Sequence, residues 1–364
     1  MGFEKCSTTA LSIWLSHHPN LQSRWLEGRY FDHIDPTDDG LGEGSELDRT
    51  WYEPYLTTTL PPLPEGADGV GRYWTFEKSP ATASAPSAPE AIARLVPGAT
   101  LLFATRSPTS RAYSMFLMYC AHYPTVLSAF RAPQGLSYFV RQEGTGAVRF
   151  VNDPAMGFAI GPGRGGGRVP EGRLPPGRAG EAWRFLKYPP DPRDFDSYVR
   201  YALGSRGAGG GRDGTGGPPP GPNFADNSRP ARILYGGFYA SYLRRWLNYF
   251  PPSRMVVLPS ELFYTSETPT SLDRLQETLG LPVYDYTEIE SSGSRGGGRF
   301  DIGSPAVWLN GIFNSHKHDV PKMLNETKAL LDDLYCEENM ELSRMLGGRP
   351  LPGYSCAEDG IVGQ

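Results

Sequence analysis

A chain of 364 residues with a formal net charge of −5 has room for one large α/β domain or two smaller ones, and its acidic balance gives no bulk-charge basis for binding nucleic acid. No apolar run approaches the ~20 residues of a membrane span, and no signal peptide is visible. The four cysteines, Cys6, Cys120, Cys336 and Cys356, show no CxxC or Cys/His metal spacing, so no metal is expected; Cys336 and Cys356 alone lie near each other in sequence, and a disulfide between them is left open.

Ala10, Leu11, Trp14 and Leu15 recur at helical spacing and Pro19 closes the segment, so Lys5-Cys6-Ser7-Thr8-Thr9 is a loop feeding a helix N-terminus. Free backbone N–H groups and the positive end of the helix dipole converge there, which suits an anion. Lys5 adds positive charge, and the small hydroxyl residues let the backbone come close. An ordinary Ser/Thr-capped helix with a solvated lysine fits the same pentad. Only four residues precede Lys5, fewer than a buried strand needs, as a fragment or a trimmed chain would show. Further on, Trp25–Asp32 sets Glu27 ahead of the aromatic pair Tyr30-Phe31. Residues 36–71 are loop-rich, with Trp51–Tyr55 expected to pack. Tyr73–Lys78 reads as a strand with Lys78 at its C-terminal end. Ser87 with Glu90 reads as a capping box for a helix whose apolar face is Ile92, Leu95 and Val96. The continuous apolar run Ala99–Thr105 is that of a strand buried on both faces of a parallel sheet. It ends at Arg106, and Ser107-Pro108 opens a helix carrying Arg111 and Ser114. This alternation predicts right-handed βαβ units and an α/β fold with a central parallel sheet flanked by helices.

Between about 161 and 222 the chain becomes Gly/Arg/Pro-rich and is read as flexible insertion, with a short ordered helix expected within Trp183–Tyr201. Tyr239, Leu243, Trp246, Leu247 and Phe250 then share one helical face. Met255–Leu258 is a second buried strand, and Leu272, Leu275 and Leu279 mark a helix stopped by Gly280 and Pro282. Residues 291–299 form another low-complexity insertion, before helices over Pro321–Tyr335 and Glu337–Leu346. There are no internal repeats, so residues 1–364 are expected to form a single domain carrying these insertions.

Three stretches carry a family likeness when taken together. They are Lys5–Thr9 before a helix, Phe76-Glu77-Lys78-Ser79-Pro80, and Arg106-Ser107-Pro108 with Arg111 and Ser114 after a buried strand. The combination resembles the carbohydrate sulfotransferases that use 3′-phosphoadenosine 5′-phosphosulfate (PAPS). Nearest are the heparan sulfate N- and 3-O-sulfotransferases and the chondroitin N-acetylgalactosamine 4-sulfate 6-O-sulfotransferase. The likeness continues through Gly237-Phe238-Tyr239-Ala240, Arg245-Trp246-Leu247 and Met255–Leu262 to Asn339–Ser343.

The resemblance implies a P-loop-like fold and transfer of a sulfuryl group from PAPS to a glycan hydroxyl or amine. It implies that Lys5, Cys6, Ser7, Thr8 and Thr9 hold the 5′-phosphosulfate, with Lys5 neutralising the leaving phosphate oxygen. Arg106 and Ser114, eight residues apart as in the family, would bind the 3′-phosphate. Glu27 would be the general base, and Lys78 would bridge the sulfuryl group and the acceptor. His17 and His18 are the alternative base, though at a helix C-terminus they also complement the dipole. The acceptor would be a polysaccharide or oligosaccharide, no metal would be required, and the compartment would be the Golgi lumen, reached through an anchor upstream of this sequence. The sequon Asn325-Glu326-Thr327 agrees with that compartment.

Two features depart from the family. Ser7 stands where relatives carry glycine. The run Asn314–Asp319 lacks the bracketing cysteines and most of the fixed positive charge of the heparan enzymes' donor-holding loop, leaving Lys317 as its one lysine. A P-loop kinase is the rival enzyme, but the chain has no G-x4-GK[ST] motif. A catalytically inactive glycan-binding module on the same fold is the third reading, and joint retention of Lys5, Glu27, Lys78, Arg106 and Ser114 weighs against it.

Overall fold

Two apolar runs far apart in sequence lie side by side and parallel, Leu101 opposite Met255 and Thr105 opposite Pro259. The computed structural model describes residues 2–23, 27, 30–32, 74–125, 136–142, 144–153, 183–186, 189–209, 233–263, 268–286 and 320–356. The expectations for Trp51–Tyr55, for 291–299 and for Asn314–Asp319 fall outside these residues. The described helices are α1 Thr8–Ser16, α2 Ala88–Leu95, α3 Pro108–Thr125, α4 Pro192–Gly209, α5 Tyr239–Leu247, α6 Thr268–Leu279 and α7 Asn325–Met345. The strands are β1 Leu21–Ser23, β2 Trp74–Phe76, β3 Leu101–Thr105, β4 Leu136–Gln142, β5 Val148–Asp153, β6 Trp183–Phe185 and β7 Met255–Pro259. The chain divides into two compact units, one of Met1–Ser107, Phe238–Lys317 and Glu337–Ser355, the other of Pro108–Gly237, His318–Cys336 and Cys356–Gln364.

The first unit is the α/β part. β3 pairs with β7, and Gly2 makes a parallel bridge to Ala104, where the Phe3 amide donates to the Ala104 carbonyl at 3.0 Å. Gly2 is required by that approach, since a Cβ there would meet Thr8 Cγ2 at 2.4 Å. β1 and β2 form a second parallel pair. The core gathers around α5, which buries Tyr239, Ala240, Tyr242, Leu243 and Trp246 at helical spacing. Phe3 lies 4.6 Å from the Tyr239 ring and Phe103 lies 5.4 Å from Trp246. Trp246 donates its indole N–H to the Ala83 carbonyl at 3.0 Å, satisfying its one polar atom inside the core. Leu247, expected on the apolar face, is 37% exposed.

Ser87 departs from expectation as well. It precedes α2 in a right-handed helical conformation, and its side chain makes no cap bond; Pro89 opens the helix instead.

The second unit holds an antiparallel sheet in the order β5-β4-β6. Its core is aromatic, with Phe116 against Phe139 and Phe195, and Phe139 against Tyr198. Two of its elements, β6 and α4, lie inside the stretch read as flexible insertion. The helix expected within Trp183–Tyr201 is in fact a strand followed by a helix that runs on to Gly209. Cys336 and Cys356 are joined by a disulfide, with Cα atoms 4.7 Å apart.

Candidate functional site

Three chain segments reach the same end of the parallel strands. Lys5–Thr9 follows the Gly2–Ala104 bridge, Lys78 comes two residues after β2, and Arg106 comes one residue after β3. C-terminal strand ends in a parallel sheet are where helices begin and backbone amides are left to meet a ligand.

The Lys5–Thr9 loop is strained. Lys5 has φ 67° and Ser7 has φ 61°, both left-handed, which costs a non-glycine residue about 1–2 kcal/mol each. The turn is closed by the Cys6 amide donating to the Phe3 carbonyl at 3.2 Å. Ser7 is the N-cap of α1, and its side chain makes no cap hydrogen bond. The predicted start at Ala10 thus moves back to Thr8, and the first turn of α1 is left without a side-chain cap. Left-handed residues leading into such a helix start turn successive N–H groups toward one point, an arrangement that fits a phosphate or sulfate group.

Lys78 brings two predicted site residues together. Its ammonium donates to Glu27 Oε1 at 2.8 Å and to Thr9 Oγ1 at 3.3 Å. The lysine is 8% exposed, whereas Glu27 is exposed, so the ion pair joins a buried ammonium to a carboxylate open to solvent. Tyr30 and Phe31, shortly after Glu27 in the chain, are both buried and meet edge-to-face at 4.9 Å. Arg106 is half-buried. Its carbonyl accepts from the Tyr239 hydroxyl at 2.8 Å, and that hydroxyl lies 3.4 Å from the Cys6 sulfur, so the loop and the strand end meet at one phenol. Ser114 is on α3 in the second unit.

The histidines serve differently. His18 is buried, with Nε2 2.9 Å from the Pro282 carbonyl and Nδ1 accepting the Asn20 amide at 3.1 Å. Both ring nitrogens are thereby committed to backbone. His17 is the C-cap of α1, and burial lowers its pKa.

Sequence reasoning missed three residues around Arg106. In the sequence Tyr239 stands in an apolar helical face and in the Gly237–Ala240 stretch of the family likeness, and neither assigns its hydroxyl a role. Glu261 Oε1 accepts the Ser107 amide at 2.8 Å. The Tyr354 phenol, buried beside Thr105, is pushed well above its ordinary pKa by that burial. The available signal is a tyrosine, and not a phenylalanine, among positions otherwise apolar. Among the described residues no group of three His, Cys, Asp or Glu could hold a metal ion, and no helix is long and apolar enough to cross a membrane.

No protein-family model matches the chain. It is 32% identical over 126 residues to the human bifunctional heparan sulfate N-deacetylase/N-sulfotransferase 3, an alignment covering 34% of this chain and 14% of that protein. To the mouse bifunctional heparan sulfate N-deacetylase/N-sulfotransferase 1 it is 23% identical over 359 residues, which covers 97% of this chain and 30% of that protein. The chain therefore spans less than a third of either relative's length. Among solved structures, a sulfotransferase from Alicyclobacillus acidocaldarius superposes with a TM-score of 0.51 at 14% identity, covering 97% of this chain and 96% of that one. The shared fold extends over almost the whole of both.

Proposed function

We propose that this chain, a relative of the sulfotransferases in sequence and in fold, moves the sulfuryl group of PAPS onto a hydroxyl or amine of a glycan. The observation that carries the reading is Lys78 placed between Thr9 of the anion-binding loop and the Glu27 carboxylate. Sulfuryl transfer by in-line displacement breaks the bond from sulfur to the phosphate oxygen as the acceptor atom attacks from the opposite side. It needs a cation at the leaving oxygen, a second near the sulfuryl group, and a base on the acceptor side. Lys5, Lys78 and Glu27 supply these in that order. Glu27 takes the acceptor's proton, and Lys78 leaves its ion pair with Glu27 to meet the sulfuryl oxygens. Backbone amides at Ser7–Thr9 hold the 5′ end, the Cys6 amide being taken by the Phe3 carbonyl, and the Arg106 guanidinium takes the 3′-phosphate. The part of Ser114 in the 3′ site rests on the resemblance alone.

The curated relatives are named for heparan sulfate, which favours a glycosaminoglycan acceptor. The Cys336–Cys356 disulfide suits an oxidising compartment and so the Golgi lumen. The test is transfer of labelled sulfate from PAPS to a panel of glycosaminoglycans and other polysaccharides. Label appearing in one of them, independent of Mg²⁺, is expected. Tighter binding of ATP than of PAPS, together with phosphate transfer requiring Mg²⁺, would replace this reading with the kinase.

A further inference from the structure

Tyr239 belongs by packing to the core, 1% exposed and 4.6 Å from the Phe3 ring, yet a phenylalanine would fill that space. What the hydroxyl adds is a bond from α5 to the end of β3, since it donates to the Arg106 carbonyl, 133 residues away, at 2.8 Å. The same oxygen stands 3.4 Å from the sulfur of Cys6, a fully buried residue between the left-handed Lys5 and Ser7. The other side of the peptide is held too, because the Ser107 N–H of that peptide unit donates to Glu261 Oε1 at 2.8 Å. The peptide plane that launches the Arg106 side chain is thus clamped at both its polar atoms, just where the β3–β7 ladder ends.

We propose that Tyr239 is a positioning residue that sets the distance between the loop holding the 5′ end of the donor and the strand end holding its 3′-phosphate. The inference rests on the PAPS reading above. A rigid ring with its hydroxyl against both elements fixes their separation, and the hydroxyl bond keeps that separation from drifting. A nucleotide carrying both phosphates needs the two anion sites at one spacing. A nucleotide carrying a single phosphate is indifferent to it.

The experiment is calorimetric titration of the wild-type chain and Tyr239→Phe with 3′-phosphoadenosine 5′-phosphate, with adenosine 5′-phosphate and with adenosine 3′-phosphate, below the unfolding temperature of both proteins. The variant is expected to bind the bisphosphate roughly three- to tenfold more weakly, the scale of one hydrogen bond, while the two monophosphates change little. Loss of the same size on all three ligands, or no loss on the bisphosphate, overturns the positioning role and leaves the donor reading standing. A wild-type chain that binds the bisphosphate no more tightly than adenosine 5′-phosphate overturns the donor reading and this inference with it. Should Tyr239→Phe fail to fold, Cys6→Ala cuts the same link from the loop side and is expected to give a smaller loss, again confined to the bisphosphate.

Discussion

Two helices of this molecule begin in opposite ways. α4 in the second unit starts with a closed box: Asp191 Oδ1 accepts the Arg193 amide at 2.9 Å, and Asp194 Oδ2 accepts the Asp191 amide in return at 3.2 Å. Arg141 then pairs with the buried Asp194 carboxylate, so the start of the helix is satisfied from within the chain. α1 in the first unit starts from left-handed Lys5 and Ser7 and takes no side-chain cap. One start is built to stabilise the fold. The other accepts about 1–2 kcal/mol of strain per left-handed residue and leaves its first turn open, as expected where an external anion is to be held. Substitutions around α1 should therefore change function with little loss of stability, and those at the start of α4 the reverse.

The largest expected effect lies beside the open start. Glu27→Gln preserves the shape of the side chain and removes its basicity. Turnover should fall by about 10²–10⁴-fold, with PAPS affinity by calorimetry close to wild type. Near-normal turnover would remove Glu27 as the base and, with both nitrogens of His18 committed to backbone, leave His17 as the next candidate. Arg106→Ala comes second. If its guanidinium holds the 3′-phosphate, donor affinity should weaken by roughly 10–100-fold while the rate at saturating PAPS is spared. A fall in saturated rate with unchanged affinity would move Arg106 from binding into the chemical step.

Asp194→Ala tests the closed start. It removes an acceptor from Arg141 and from the Asp191 amide at a buried position, which should cost about 2–3 kcal/mol of stability, read as a lower midpoint in chemical denaturation. Donor affinity should stay at the wild-type value. A variant as stable as the parent would show that the box contributes nothing and that the contrast between the two starts is only apparent.

The sequence made one of these starts legible and hid the other, for physical reasons. β3 and β7 are continuous apolar runs, so their place in a parallel sheet can be read directly, and with them the strand end that carries Arg106. The loop before α1 is marked by small hydroxyl residues ahead of a helical period. The α4 box sits within Trp183–Tyr201, where a short helix is expected between Gly/Pro-rich flanks, but its Asp-for-Glu chemistry is not the usual signature and so does not mark the start. β4 and β5 carry Arg141, Arg149 and Asp153 where a buried strand would be apolar, so the antiparallel sheet escapes periodicity. At Ser87 the reverse happened: the residue types of a capping box are present, but a right-handed backbone at Ser87 accompanies a side chain that makes no cap bond. The link through Tyr239 could not be read at all, because a hydroxyl contact to a backbone carbonyl 133 residues away leaves no local pattern.

The smallest effect separates strain from chemistry within the loop. Ser7 holds φ 61°, where relatives carry glycine by the resemblance, and a glycine there would relieve about 1–2 kcal/mol of left-handed strain. Against that gain stands the larger entropy glycine brings to the unfolded chain, roughly 0.5–1 kcal/mol. The Ser7 hydroxyl makes no cap bond, so no cap is forfeited with it. Ser7→Gly should therefore raise stability by up to about 1.5 kcal/mol, measured as a higher denaturation midpoint. Ser7→Ala keeps the strain and removes only the hydroxyl, so its stability should match the parent. If the hydroxyl contacts the donor, both variants should lose PAPS affinity equally; if only the loop amides do, both should retain it. A glycine variant less stable than the alanine one would mean that the left-handed conformation at Ser7 carries no strain, and the contrast between the two helix starts would then lose its energetic half.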